Sequence, residues 1–216
     1  NNRSLKFNNP FEKKYGGLGV ELFGLNTAKF MDYINSEIFL NFLQEITGIK
    51  EKLISDPYYI GGGLQEIKNG GYLKIHADFN KHVLKKLDRR INVLIYLNKN
   101  WASNYRGNLE FWDREMKRCI KSIKPDFNKM IIFNTTDFTY HGIPDSIQCP
   151  ENFSRKSLAL YYYSDGRPIH EINPRLKTHS TIFKKRYNNN DDKKIFNLRS
   201  KFRYQSNRLY NYFMKK

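Results

Sequence analysis

Between Pro57 and Tyr163 the chain runs as short apolar or alternating segments, each closed off by Gly, Asn, Asp or Pro. No other feature constrains the fold as much. Side chains on a strand alternate faces with a period of two, and turn residues punctuate short strands. The pattern predicts strands over 58–67, 71–76, 90–97, 107–112, 117–123, 129–134 and 155–163. Arg90-Ile91-Asn92-Val93-Leu94-Ile95-Tyr96-Leu97 is the clearest of them. Upstream, Phe30, Ile34, Ile38 and Phe42 recur every four residues, with Phe39, Leu43 and Ile46 widening the stripe. That spacing predicts one helix over 27–46, capped by Asn26 and stopped by Gly48. Many short strands after a helix make an α+β, mainly β architecture: a sandwich or barrel with helices packed outside. The regular intervening helices of a doubly wound sheet are missing.

Charge divides the chain. Residues 174–216 carry 13 Lys+Arg against two acids, Asp191 and Asp192, and so supply +11 of the net +17. Such a segment favours polyanions, or forms a solvated helix face. Ile195, Leu198, Phe202, Leu209 and Phe213 recur at roughly helical spacing, which predicts an amphipathic helix docked on the core. No apolar run is long enough for a transmembrane helix, and Asn1-Asn2-Arg3-Ser4 has no apolar signal core. Two cysteines, Cys119 and Cys149, cannot build a disulfide scaffold or a Cys-rich zinc site, so a reducing, cytoplasmic setting is expected. Cys119, on an apolar strand, is expected to be packed, and Cys149, in a loop, to be open to solvent.

One constellation bears on chemistry. His76-Ala77-Asp78 ends a predicted strand, and His141 follows the strand over 129–134. Residues i and i+2 of an extended segment point the same way, so His76 and Asp78 can converge on one ion. Two imidazoles and a carboxylate can occupy one face of an octahedral Fe(II), leaving positions open for chemistry. Alone, a His-x-Asp is weak evidence. Three blocks surround it: Gly70-Gly71-Tyr72-Leu73-Lys74-Ile75 before His76; Tyr96-Leu97-Asn98-Lys99-Asn100-Trp101 and Gly107-Asn108-Leu109-Glu110 after Asp78; and Arg155-Lys156-Ser157-Leu158-Ala159-Leu160-Tyr161-Tyr162-Tyr163 after His141. An Arg opening a strand there can hold a carboxylate by a bidentate pair.

In the order and approximate spacing of these blocks, residues 60–165 resemble the prolyl-4-hydroxylase-like branch of the Fe(II)/2-oxoglutarate-dependent oxygenases. The resemblance implies a double-stranded β-helix (jelly-roll) core with flanking helices. Residues 1–173 would form the oxygenase domain with N-terminal helical support, and 174–216 a basic helical extension packed on it. It implies iron-ligand roles for His76, Asp78 and His141. It also implies that Arg155 clamps the distal carboxylate of 2-oxoglutarate and that Tyr96 hydrogen-bonds the same cosubstrate. O2 is then the co-reactant, and ascorbate an accessory reductant. The implied reaction is hydroxylation of a prolyl or other amino-acid residue, in a peptide or free, with release of succinate and CO2. Asp78 argues for hydroxylation, because related halogenases replace that carboxylate with a small residue.

The chain also departs from the family. Gln65 stands where some prolyl hydroxylases place a further cosubstrate-binding Tyr. Pro144 to Phe153 lengthens the segment before Arg155 and is expected to be a surface loop. His82, His170 and His179 are expected to be ordinary loop histidines. Arg89 or Arg90 is expected either to reach substrate or to cap the sheet edge. Two alternatives use the basic tail: a nucleic-acid-directed oxygenase or demethylase, and a non-catalytic jelly-roll binding module. The first lacks its expected Arg-x5-Arg pattern, since Tyr161 lies six residues beyond Arg155. Intact ligands and Arg155 oppose the second.

Overall fold

The computed structural model describes residues 4–17 and 23–198. An N-terminal hairpin pairs β1 (Ser4–Asn9) with β2 (Glu12–Gly17). Two helices follow, α1 (Leu25–Ile34) and α2 (Glu37–Thr47). Then come β3 (Gly63–Lys68), β4 (Tyr72–Ala77), β5 (Asp88–Tyr96), β6 (Leu109–Trp112) and β7 (Cys119–Ile123). After them run β8 (Lys129–Asn134), β9 (Tyr140–Ile143), β10 (Ser154–Ser164), β11 (Ile182–Phe183) and α3 (Asn190–Leu198). The strands form one curled antiparallel sheet, in the order β7-β6-β9-β4-β2-β3-β10-β5-β8, with β1 on β2 and β11 on β4.

The period of two decides what each face of the sheet does. On β5, Ile91, Val93 and Ile95 face the helices; on β10, Leu158, Leu160 and Tyr162 do. Against them pack Met31 and Ile34 of α1, Phe39 and Leu43 of α2, and Ile49 and Leu53 beyond. The Tyr162 hydroxyl donates to the Ile34 carbonyl at 2.6 Å and ties β10 to the end of α1. Burying each of these apolar side chains contributes about 1.5–3 kcal/mol. The alternate residues, Asn92 and Leu94 on β5 and Arg155, Ser157, Ala159 and Tyr161 on β10, turn to the concave face and line a cavity.

Two local irregularities re-aim the strands. Tyr162 pairs Ile91, but Tyr163 pairs Arg89, so Arg90 is an extra residue in β5. A bulge of this kind exchanges faces. Arg89 turns into the cavity, while Arg90 turns outward to Glu51 at 2.8 Å and Glu171 at 3.5 Å. On β4, Leu73 pairs Ile143 and His76 pairs His141, again with one residue too many in β4. Leu73 and His76 therefore share the cavity face, and Ile75 goes to a separate cluster with Ala77, Met116 and Tyr140.

The helical expectation over 27–46 needs correction. The helix breaks at Asn35-Ser36, where Ser36 adopts an extended backbone and starts α2. The break resets the phase of the stripe. Ile34, Phe39 and Leu43 are buried, while Phe30, Ile38, Phe42 and Ile46 are exposed. The α1 cap is Gly24, and Asn26 lies inside the helix. Gly48 does end α2, at φ 69°. Other expectations shift as well. Residues 58–62 form a turn in place of the start of a strand, held by Asp56 accepting from the Tyr58 and Ile60 amides. Cys119 is exposed, because both faces of the outermost strand, β7, are largely in solvent; Cys149 is buried. The 144–153 segment is anchored by Ile147 and Cys149, which pack on Ile67, Trp101 and Ile143.

Beyond β10 the chain returns over the sheet. In α3, Asp192 is buried and meets Arg186 at 2.9 Å and Lys74 at 3.3 Å, and Phe196 stands edge-on to Phe11. Ile195 is half-buried; the Leu198 side chain, Phe202, Leu209 and Phe213 lie outside the described residues. Among the described residues, no helix is long and apolar enough to cross a membrane.

Candidate active site

The curl of the sheet encloses a cavity of about 750 Å³. His76 near the end of β4, Asp78 just past it and His141 on β9 come together on its wall. Antiparallel register sets His76 opposite His141, with ring centroids 4.6 Å apart. Gly142 allows this approach, because a Cβ there would stand 2.7 Å from the Leu73 carbonyl oxygen. Each imidazole gives its Nδ1 to a backbone carbonyl two residues earlier: His76 to Lys74 at 2.8 Å and His141 to Thr139 at 3.1 Å. A carbonyl only accepts, so Nδ1 carries the proton and Nε2 keeps its lone pair for the cavity. The His76 Nε2 lies 3.4 Å from Asp78 Oδ1, and the His141 Nε2 lies 3.4 Å from Asp78 Oδ2. One ligand atom from each residue lies within 4.8 Å of the others. Ligands about 2 Å from a shared ion sit at comparable separations, so the donor set fits one divalent metal.

The surroundings favour the same protonation states. Burial opposes charge on Asp78, but the Arg89 guanidinium beside it holds its carboxyl well below the usual carboxylate range. Arg89 Nη2 stands 3.1 Å from Asp78 Oδ2, and Asn92 Nδ2 donates to the same oxygen at 2.8 Å. Arg89 in turn donates to Asn92 Oδ1 from Nε and Nη2. Burial pushes the His141 imidazole down to about 4, against the pull of Asp78, which keeps it neutral. A neutral imidazole is the ligating form.

Arg155 lies on β10 along the same cavity and is 3% exposed. Its Nε donates to the Gly107 carbonyl at 2.8 Å and its Nη2 to the Tyr96 hydroxyl at 3.1 Å. Gly107, at φ 79°, sits where a side chain would press on the Arg155 Cδ at 3.3 Å. These contacts leave Nη1 as the unused end of a buried guanidinium. Tyr96 is fully buried and does not line the cavity; it reaches the site through Arg155. Gln65 lines the cavity wall.

The sequence reading missed two walls. The β1–β2 hairpin contributes Leu5, Phe7, Glu12, Lys14 and Gly16. The segment 178–183 lines the cavity as well, with β11 paired to β4 at His76 and Ala77. His179 belongs to this wall, contrary to its reading as an ordinary loop residue. Its Nε2 meets Asp137 at 2.9 Å, and its backbone amide donates to Asn80 at 3.0 Å. His82 also lines the cavity and is buried, whereas His170 stays outside, in a single helical turn over Ile169–Glu171. Alternation of side chains gave no signal for these segments; only their positions after folding reveal them.

Comparisons with known proteins agree with this architecture. Residues 62–163 match the family model of the 2OG-Fe(II) oxygenase superfamily. A stretch of 79 residues is 28% identical to the prolyl 3-hydroxylase OGFOD1 of Mus musculus; it covers 35% of this chain and only 14% of that protein. A prolyl-4-hydroxylase from Pseudomonas putida superimposes with TM-score 0.51 and 11% identity, over 76% of this chain and 78% of its own. A prolyl hydroxylase from Trichoplax adhaerens, solved with a hypoxia inducible factor oxygen degradation domain peptide fragment, gives TM-score 0.53 and 16% identity, over 76% and 71%. The curled sheet thus shares the fold of these two structures, and residues 62–163 are similar to the 2OG-Fe(II) oxygenase superfamily.

Proposed function

We propose, from the match of residues 62–163 to the 2OG-Fe(II) oxygenase superfamily model and from the site's geometry, that the chain is an Fe(II)- and 2-oxoglutarate-dependent dioxygenase. It hydroxylates a prolyl or other amino-acid residue, free or in a peptide, with release of succinate and CO2. One observation carries this reading: both Nε2 atoms and the Asp78 carboxylate converge on one point of a cavity that has a buried Arg155 on its wall. His76, Asp78 and His141 would hold the iron. Bound Fe(II) with 2-oxoglutarate would supply an oxidant able to insert one oxygen atom of O2 into a C–H bond.

The chain's own contribution is placement. The two Nδ1–carbonyl bonds fix the imidazole tautomers, and Asn92 with Arg89 keeps the Asp78 carboxylate charged and aimed. Arg155 presents a planar cation to the far carboxylate of the cosubstrate, in a cavity whose apolar lining includes Leu94, Leu109, Ile67 and Ile143. A buried cation needs an anionic partner, which a dicarboxylate provides. Tyr96 holds Arg155 in position from behind. The hairpin and the 178–183 segment limit access of water to the reacting centre.

The test is turnover. Purified protein with Fe(II), O2 and 2-oxoglutarate is incubated with pools of peptides and free amino acids. Succinate and a product heavier by one oxygen atom are expected by mass spectrometry. No metal-dependent consumption of 2-oxoglutarate with any pool sinks the reading.

A further inference from the structure

β1 carries an open hydrogen-bonding edge beside the cavity. The path through the sheet ends in β7 and β8, and no residue of either lines the cavity; β1, which lies off that path on β2, contributes Leu5 and Phe7. Among the described residues β1 pairs with β2 alone. The hairpin is anchored at its turn. The Tyr72 hydroxyl donates to the Asn9 carbonyl at 3.2 Å, and the Lys74 amide donates to the Phe11 carbonyl at 2.8 Å. The Phe11 ring stacks on Phe183 with centroids 4.7 Å apart.

Register decides which backbone groups are open. Pro10 and Phe11 alone separate Asn9 from its partner Glu12. A two-residue loop closes on a hydrogen-bonded pair, and such pairs alternate with non-bonded ones along an antiparallel ladder. Asn9, Phe7 and Leu5 therefore bond to β2. The N–H and C=O of Lys6 and Asn8 point the other way, and no backbone group of the described residues meets them. Lys6 and Asn8 are exposed, and among the described residues no acid pairs with Lys6. Side chains alternate as well: Leu5 and Phe7, with their partners Gly16 and Lys14, turn to the cavity.

A strand added to this edge inherits both alternations. In an antiparallel strand, the residues opposite Lys6 and Asn8 exchange hydrogen bonds with β1 and face outward. The residue opposite Phe7 faces the cavity side, and its own N–H is not used by the ladder. That position accepts proline, which has no N–H to give. The residue before it is already extended, as a following proline requires. In a parallel strand the same residue would have to donate, so the antiparallel direction is the one that admits a prolyl target.

We infer that the outer edge of β1 is the docking surface for a polypeptide substrate, which adds as an extended antiparallel strand with its target residue opposite Phe7 and an acidic residue opposite Lys6. The inference rests on the oxygenase reading for the word substrate, and on β1 alone for the strand. Main-chain bonds give such a complex its hold, and alternate side chains give it specificity. An acid opposite Lys6 adds a cross-strand pair of opposite charge. A second copy of this chain on the same edge would bring Lys6 up against Lys6, so charge favours the acidic partner.

The probes are capped peptides Val-Thr-X-Glu-Val-Thr, with X as Pro, Leu, Asn or Lys, matched to the six residues of β1. They are titrated into the full chain with Fe(II) and 2-oxoglutarate under argon. At least one is expected to bind saturably. N-methylation of Glu removes the donor to the Lys6 carbonyl, and N-methylation of the Thr before X removes the donor to that of Asn8. Each is expected to weaken binding by about tenfold, the upper end for one hydrogen bond. N-methylation of the Val after Glu touches no bond to β1 and is expected to change affinity by less than about twofold. Lys6 is exposed, so Lys6→Glu keeps the fold; it is expected to weaken the Glu peptide and to favour its counterpart with Lys in place of Glu. No saturable binding with any X, methylation losses that do not alternate, or affinity unmoved by Lys6→Glu overturns the inference, as does a dimer that these peptides fail to dissociate. Succinate is read separately once O2 is admitted: alternating sensitivity without succinate upholds the docking edge and counts against the oxygenase reading alone.

Discussion

Asn92 on β5 donates to Asp78 Oδ2 at 2.8 Å while accepting two hydrogen bonds from Arg89 at its own amide oxygen. A neutral side chain thereby sets both the direction of a carboxylate and the position of the cation that keeps it ionised. Residues that orient metal ligands typically contribute a factor of about 10–100 in metal affinity. Asn92→Ala is expected to weaken Fe(II) binding by about that factor, measured by anaerobic metal titration. His76→Ala and Asp78→Ala should abolish binding outright. Unchanged affinity in Asn92→Ala would show that Arg89 alone suffices.

Arg155→Ala should raise the 2-oxoglutarate dissociation constant by the equivalent of about 2–5 kcal/mol, because one partner of a buried charge pair is removed. Lys should restore part of it, since charge survives but the planar fork does not. Tyr96→Phe should have a smaller effect in the same direction, because Tyr96 acts through Arg155. Direct titration of the cosubstrate checks all three; equal losses from Tyr96→Phe and Arg155→Ala would mean Tyr96 touches the cosubstrate itself.

Gly142→Ala places a methyl 2.7 Å from the Leu73 oxygen and 2.9 Å from that of Lys74, both backbone atoms that cannot move alone. Overpacking of this kind costs about 1–3 kcal/mol. For a domain of this size each kcal/mol lowers the melting temperature by about 2–4 °C. Because His141 adjoins Gly142, metal affinity should fall with stability. A thermal scan and a metal titration on the same sample test this, and a variant as stable as wild type contradicts the close approach of β9 to β4.

The Asp192–Arg186 pair makes docking of α3 acid-sensitive. Burial opposes ionisation of Asp192, but Arg186, the Arg186 amide and Lys74 hold its carboxyl below the usual range. A depressed carboxylate adds stability that is full above its unfolded value and is lost as pH falls through the folded one. The melting temperature of wild type should therefore exceed that of Asp192→Asn near neutrality, and the gap should close below the ordinary carboxylate range. A gap independent of pH would assign the loss to packing.

Much of the site was legible because its signals are local. The His-x-Asp spacing, the block around Tyr96 and the Arg that opens β10 can each be read without knowing a register. The 90–97 and 155–163 strands were found for the same reason, since alternation persists through them. The two bulges were not legible. An extra residue at Arg90 and another in β4 are decided by cross-strand pairing, so sequence left Arg89 and Arg90 equivalent. The helix break at Asn35-Ser36 was hidden by a four-residue spacing that continued across it. The β1–β2 hairpin and β11 escaped because short strands take their stability from the strand they join.

The two residues of β11 matter beyond the wall they build. At His76 the central strand β4 is hydrogen-bonded to β9 on one flank and to Phe183 on the other. A free strand edge is a template on which any extended polypeptide can add itself. Here that template is already occupied by the chain's own backbone. On the proposed function, a polypeptide substrate would then be recognised by a protruding side chain or chain end and not by main-chain pairing along β4 at His76.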